Sequence, residues 1–161
     1  MNPTRSHSIL FVCLGNICRS PLAEGVFRHR VEEAGLEGRF RIVSAGTGGW
    51  HVGDSPDPRS RAVAEARGVS LEGQTARRVA SSDFDDFDLF VAMDRSNLSD
   101  LRRMSGVDRQ ARIVLLRDYD REPGDGEVPD PYYGGPDGFD HVFDMVDRCC
   151  EQLLDALLDE A

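Results

Sequence analysis

Ser8-Ile9-Leu10-Phe11-Val12-Cys13-Leu14-Gly15-Asn16-Ile17-Cys18-Arg19-Ser20-Pro21 is the stretch from which the rest of the chain is read. Its first five residues form a short, mostly apolar run, as in a strand buried on both faces. Ser20 followed by Pro21 reads as a helix N-cap with proline at the first helical position. Leu22, Val26, Phe27, Val31 and Ala34 then recur at helical spacing as far as Gly35. The first unit is therefore strand, tight loop, helix. Backbone N–H groups of such a loop converge on a point, the helix N-terminus adds partial positive charge, and Arg19 can grip two oxygens of an anion. The same field stabilises a thiolate at Cys13, so a nucleophile and an anion cradle share one loop. Gly15 permits unusual backbone angles, and the Asn16 side chain can hydrogen-bond across the loop and hold it open.

Outward from this unit the chain keeps alternating. Phe40 to Ala45 reads as a second strand, followed by a long loop through Gly46-Thr47-Gly48-Gly49 and the Pro56/Pro58 segment. A helix from about Pro58 to Ala66 stops at Gly68. Phe87 to Met93 is a third strand, Ser96-Asn97-Leu98 opens a short helix to about Met104, and Ile113 to Leu116 is a fourth strand. Asp118 to Gly138, dense in proline and glycine, reads as loop. Phe139, Val142, Phe143, Val146, Cys149, Cys150, Leu153, Leu154, Leu157 and Leu158 trace the apolar face of a long final helix. The expectation is an α/β fold, a four-stranded parallel sheet with helices on both faces, and ligands at the carboxyl ends of the strands. One domain over 1–161 is expected, with residues 1–7 as a flexible N-terminus.

Composition narrows the chemistry. The 161 residues carry a net charge of −10, which discourages nucleic-acid or acidic-membrane binding. All 19 basic residues are arginine, so Schiff-base chemistry and a Gly-Lys-Ser/Thr nucleotide loop are excluded. The charge is uneven, +3 over residues 1–80 and −13 over residues 81–161, which puts an anion site in the first half. The four cysteines, Cys13, Cys18, Cys149 and Cys150, do not form the framework of a small secreted domain. No membrane span or signal sequence is read. A cytoplasmic location follows, with secretion lacking a classical signal left open. The histidines His7, His29, His51 and His141 have no metal-ligand spacing and read as structural or solvent-exposed.

Cys-x5-Arg-Ser is the signature of cysteine-dependent phosphatases, and the fuller run from Val12 to Glu24 resembles the low-molecular-weight protein tyrosine phosphatases. Ser44-Ala45-Gly46-Thr47, Ala92-Met93-Asp94-Arg95-Ser96-Asn97-Leu98 and Val128-Pro129-Asp130-Pro131-Tyr132-Tyr133-Gly134 resemble later segments of that family in order. The resemblance implies that Cys13 attacks phosphorus and forms a cysteinyl-phosphate, with Arg19 and the loop residues Leu14, Gly15, Asn16, Ile17, Cys18 and Ser20 holding the phosphoryl oxygens. Asp130 would protonate the leaving oxygen and then deprotonate the hydrolytic water. Ser20 would donate to the leaving thiolate besides capping its helix. Trp50, Tyr132 and Tyr133 would wall the cleft and stack on an aromatic ring. No metal or cofactor is required.

The resemblance further implies a reversible Cys13–Cys18 disulfide that protects the nucleophile. Ser44 is expected to support the loop. Gln74 stands where family members often carry a histidine that helps anchor the loop asparagine, and it offers a donor and an acceptor but no positive charge. Cys149 and Cys150 read as core. The expected partners are phosphotyrosine proteins, with a bacterial-type tyrosine kinase as a candidate counterpart, and the charge pattern favours basic residues around the phosphotyrosine. The competing functions are a phosphoarginine phosphatase, for which the resemblance suggests threonine at the position of Ile17; an arsenate reductase, which needs mobile resolving cysteines; and a non-catalytic anion-binding or redox-sensing module.

Overall fold

The computed structural model describes residues 6–106, 112–132, 134–135 and 137–159. Its sheet has four strands, β1 (His7–Cys13), β2 (Phe40–Gly46), β3 (Leu89–Ala92) and β4 (Arg112–Leu115), in the order β2-β1-β3-β4 and all parallel. Chain direction reverses its progress across the sheet at β1, and the carboxyl edge beside such a point is where open α/β sheets bind ligands. Cys13 pairs with Gly46 as the last residue of that central strand.

The period-2 alternation of β1 builds two cores. Ile9, Phe11 and Cys13 face α1 (Arg19–Glu33), α2 (Pro58–Glu65) and α5 (Asp137–Asp159), while Leu10 and Val12 face the other side with Phe84, Phe87 and Leu101. The second side is covered by α3 (Asp83–Asp86) and α4 (Arg95–Ser105). Phe11, Phe27 and Leu22 are fully buried, each contributing about 1.5–3 kcal/mol of transfer free energy. Cys149 and Cys150 are likewise fully buried on the apolar face of α5. No described helix is long and apolar enough to cross a membrane.

Several local expectations are corrected. Ser20 does not cap α1. The helix begins two residues earlier, with Cys18 at the N-cap position and no side-chain cap, because the Ser20 hydroxyl is taken by Cys13 and Asn16. Pro21 is accordingly the third helical residue. The first half of α1, Arg19 through Phe27, is buried on every side. His7, assigned to the N-terminal extension, is 4% exposed as the first residue of β1 and stacks on Phe40. β3 is shorter than Phe87 to Met93, since Phe87 turns edge-on to Phe90 and lies under Arg41. β4 starts at Arg112, and a 3-10 turn over Leu116–Tyr119 follows it. The helical turn α3 has no apolar periodicity that would have revealed it. The start of α4 lies at Asp94, whose side chain accepts from Asn97 N–H in a capping box.

Candidate active site

Residues 13–20 form the turn between β1 and α1, and its hydrogen bonds explain why its N–H groups point inward. The Cys13 and Leu14 carbonyls accept from Thr47 and Gly48 N–H, both at 2.9 Å. The Ile17 carbonyl accepts from Asp57 N–H at 2.8 Å, and that of Cys18 from Leu22 N–H at 3.3 Å. In a trans peptide the next N–H points opposite to the carbonyl, so turning these carbonyls outward aims the Leu14, Gly15, Cys18 and Arg19 N–H groups at the concave side. Close approach matters here: a Cβ on Gly46 would stand 2.7 Å from the Leu14 carbonyl oxygen.

Asn16 is the keystone. Its φ of +57° makes it the only described non-glycine residue in the left-handed region. Its Nδ2 donates to Ser20 Oγ at 2.8 Å and to Ser44 Oγ at 3.0 Å, and its Oδ1 accepts from Arg77 N–H at 3.0 Å. The Ser44 hydroxyl donates to Glu24 Oε1 at 2.7 Å, and Arg28 holds the other oxygen of Glu24. With Asn16 already donating to Ser20 Oγ, the Ser20 hydroxyl is free to donate to Cys13 Sγ, 3.0 Å away. Asn16 N–H also donates to Sγ at 3.3 Å. Ser44 Oγ thus lies between the Asn16 amide and the Glu24 carboxylate. Gln74 does not touch Asn16: its Nε2 donates to the Pro21 carbonyl at 3.1 Å, and its Oε1 is buried without a partner among the described residues. The Gln74 side chain braces the helix start, and the Arg77 backbone N–H is what binds the Asn16 carbonyl.

Arg19 is 2% exposed, and its guanidinium is fixed through one nitrogen: NH1 donates to Asp94 at 2.7 Å and to the Val128 carbonyl at 3.0 Å. NH2 faces Asp130 Oδ2 at 3.8 Å. Burial works against the charge, but the Cys13 sulfur, Asp94 and Asp130 outweigh it and hold the pKa above the ordinary arginine value. Asp130 sits on an exposed loop. Val128 anchors that loop, its N–H donating to the Met93 carbonyl at 2.8 Å at the end of β3. Tyr132 N–H donates to Asp130 Oδ1 at 3.0 Å, which fixes that oxygen as an acceptor and turns Oδ2 toward Arg19.

These groups enclose a cleft of about 440 Å³ lined by Cys13, Gly15, Ile17, Arg19, Asp130 and their neighbours. Leu14, Trp50 and Tyr132, all exposed, stand at its rim. The Trp50 indole folds over Gly48, where a Cβ would lie 2.0 Å from the ring. Tyr133 lies outside the described residues. Cys18 lines the same cleft, and burial, with Asp57, Cys13 and Asp130 nearby, pushes its thiol up to about 12. Four residues escaped the reading of the sequence. Asp94, the Arg19 partner, stood in the sequence only as a member of the segment Ala92 to Leu98, with no role of its own. Glu24 is a charge within a buried helix, Arg77 acts through its backbone, and His51 reaches the cleft wall beside Asp54.

An anion cradle with a thiol at its floor and a carboxyl at its lip is the equipment of a phosphoester hydrolase that works through cysteine. Known proteins narrow that class. The family model described as low molecular weight phosphotyrosine protein phosphatase matches residues 8–161, and the chain belongs to that family. It is an enzyme of the protein-tyrosine-phosphatase kind. The low molecular weight protein-tyrosine-phosphatase YfkJ of Bacillus subtilis is 44% identical over 153 residues, covering 95% of this chain and 97% of its own. The YfkJ crystal structure superposes with a TM-score of 0.90, covering 96% of both chains. A low molecular weight phosphotyrosine protein phosphatase of Schizosaccharomyces pombe is 49% identical over 147 residues, 89% of this chain and 93% of its own. A protein tyrosine phosphatase structure from Entamoeba histolytica reaches a TM-score of 0.91 at 40% identity, covering 96% of this chain and 98% of its own.

Proposed function

We propose that this enzyme hydrolyses phosphotyrosine in two steps carried by Cys13, Arg19 and Asp130. The observation that carries the reading is Cys13 Sγ held between the Ser20 hydroxyl and Asn16 N–H, under a cleft that Arg19 and Asp130 also enter. In the first step the Cys13 thiolate attacks phosphorus, and the Asp130 Oδ2 proton goes to the departing phenolate oxygen. Arg19 and the inward N–H groups of residues 14–19 hold the equatorial oxygens as their charge spreads. In the second step Asp130, now a carboxylate, takes a proton from water as that water attacks the cysteinyl-phosphate. The Ser20 hydroxyl donates to the departing thiolate. Leu14, Trp50 and Tyr132 flank the phenyl ring, and the scheme calls for no metal or cofactor.

Apolar Ile17 on the cleft wall supports a phosphotyrosine over a phosphoarginine substrate. Arsenate reduction is not favoured, since residues 70–100 carry no cysteine and Cys149 and Cys150 are locked in the core. A Cys18 redox role would let its thiol condense with a peroxide-formed Cys13 sulfenic acid, giving the disulfide and water. Phosphotyrosine proteins with basic flanks are the proposed partners, opposed by a bacterial-type tyrosine kinase, and four buried free thiols support a reducing, cytoplasmic setting.

Hydrolysis of p-nitrophenyl phosphate in the presence of a chelator tests the scheme. Cys13→Ser should abolish turnover of that substrate, and Asp130→Asn should lower turnover of phenyl phosphate, whose leaving group needs a proton, by about 10²–10⁴-fold. Equal activity in all three proteins overturns the scheme, and hydrolysis of phosphoserine or phosphoarginine peptides in preference to phosphotyrosine overturns the substrate assignment.

A further inference from the structure

Arg59 stands outside that scheme, yet its half-exposed side chain directs its polar contacts inward. Nε and NH2 reach Asp57 at 3.0 and 2.9 Å, and NH1 donates to the Tyr132 carbonyl at 3.1 Å. The guanidinium also lies over the Tyr132 and Phe139 rings, 5.3 and 4.6 Å from their centroids. Asp57 is fastened on its other side, where its N–H donates to the Ile17 carbonyl. Tyr132 in turn donates its N–H to Asp130 Oδ1. A continuous chain of bonds thus runs from the phosphate loop through Asp57, Arg59 and Tyr132 to Asp130.

We infer that Arg59 is a positioning residue for proton transfer: by chelating Asp57 and gripping the Tyr132 carbonyl, it sets the Asp130 carboxyl against the phosphate loop. The inference rests on Asp130 as the acid. Val128 ties the near end of the Asp130 loop to the sheet. Beyond it Asp130 is exposed, its side chain 43% accessible, and Arg59 supplies the link from the far end to α2. A proton donor must come within about 2.6–3.2 Å of its target, and a drift of about 1 Å can cost on the order of 10²-fold in rate. A planar fork can hold a carboxylate and a carbonyl together, which a point-charge lysine does not.

The test compares kcat/KM for p-nitrophenyl phosphate, whose phenolate leaves without needing a proton, with phenyl phosphate, whose leaving group needs one. Arg59→Ala should lose roughly 10-fold more on phenyl phosphate than on p-nitrophenyl phosphate, with an unchanged fold by circular dichroism. In an Asp130→Asn background the same substitution should cost nothing further on phenyl phosphate, because the step it serves is already gone. Equal losses on both substrates, or additive losses in the double variant, refute the positioning role while leaving the proposed function intact. If Asp130→Asn itself shows no leaving-group preference, the acid assignment fails instead. Should Arg59→Ala not fold, Arg59→Gln is put through the same comparison and is decided by the same outcomes.

Discussion

Replacing Asn16 separates the two things this residue does, which are to hold a left-handed backbone and to tie the phosphate loop to three neighbours. Its side chain makes three buried or half-buried hydrogen bonds, to Ser20, Ser44 and Arg77 N–H. At about 0.5–1.5 kcal/mol net for each, their loss costs roughly 2–4 kcal/mol. An alanine at φ +57° adds about 1–2 kcal/mol of steric cost that glycine does not feel. Asn16→Gly should therefore lower unfolding free energy by about 2–4 kcal/mol and Asn16→Ala by about 3–6 kcal/mol. Urea unfolding followed by circular dichroism measures both. Activity should fall in both variants, because the Ser20 hydroxyl and the loop N–H groups lose the strut that aims them. Two outcomes refute the reasoning: Ala and Gly variants of equal stability, or either variant within about 1 kcal/mol of the parent with full turnover.

Gly48→Ala should drive the indole of Trp50 off its seat, since the added Cβ falls 2.0 Å from the ring. As Trp50 is the only tryptophan, its emission spectrum reports the move directly, and KM for aryl phosphates should rise with little change in kcat. Hydrogen bonds from Arg59 hold the Asp57 carboxyl below the ordinary carboxylate range, so its stabilisation is complete above the unfolded value of about 3.9 and is lost as pH falls through the lower folded value. The stability gap between parent and Asp57→Asn should then stay flat from about pH 5 to 8 and narrow in stronger acid. Iodoacetamide near pH 7.5 should label Cys13 alone, since burial pushes Cys18 and Cys149 up to about 12 and raises Cys150 well above the ordinary thiol value. Peptide mapping that finds the other three modified in the folded protein contradicts this.

The residues legible in the sequence are those whose role is local. Cys13, Arg19 and Ser20 sit at fixed steps along one strand, turn and helix, so their spacing alone carries them into one cradle. The apolar faces of β1 and α5 were legible for the same reason, through periods of about 2 and 3.6 residues. Ser20 was misread as a cap because capping and thiol contact ask for the same residue type in the same place. α3 and the 3-10 turn after β4 are too short to show a period. Gln74 was tied to Asn16 by analogy of position, whereas its reach ends at the Pro21 carbonyl.

The sequence by itself determined that an anion loop with a thiol nucleophile sits between a buried strand and a helix, since turn chemistry and burial period are properties of neighbouring residues. Only the tertiary structure decided what faces that loop. Asp94 meets Arg19 across 75 positions, Arg77 meets Asn16 across 61, and Arg59 reaches Tyr132 across 73. Such pairings depend on the order β2-β1-β3-β4, which brings the carboxyl ends of separate strands to one edge. Local preference is blind to that convergence, because it arises from packing helices on both faces of the sheet.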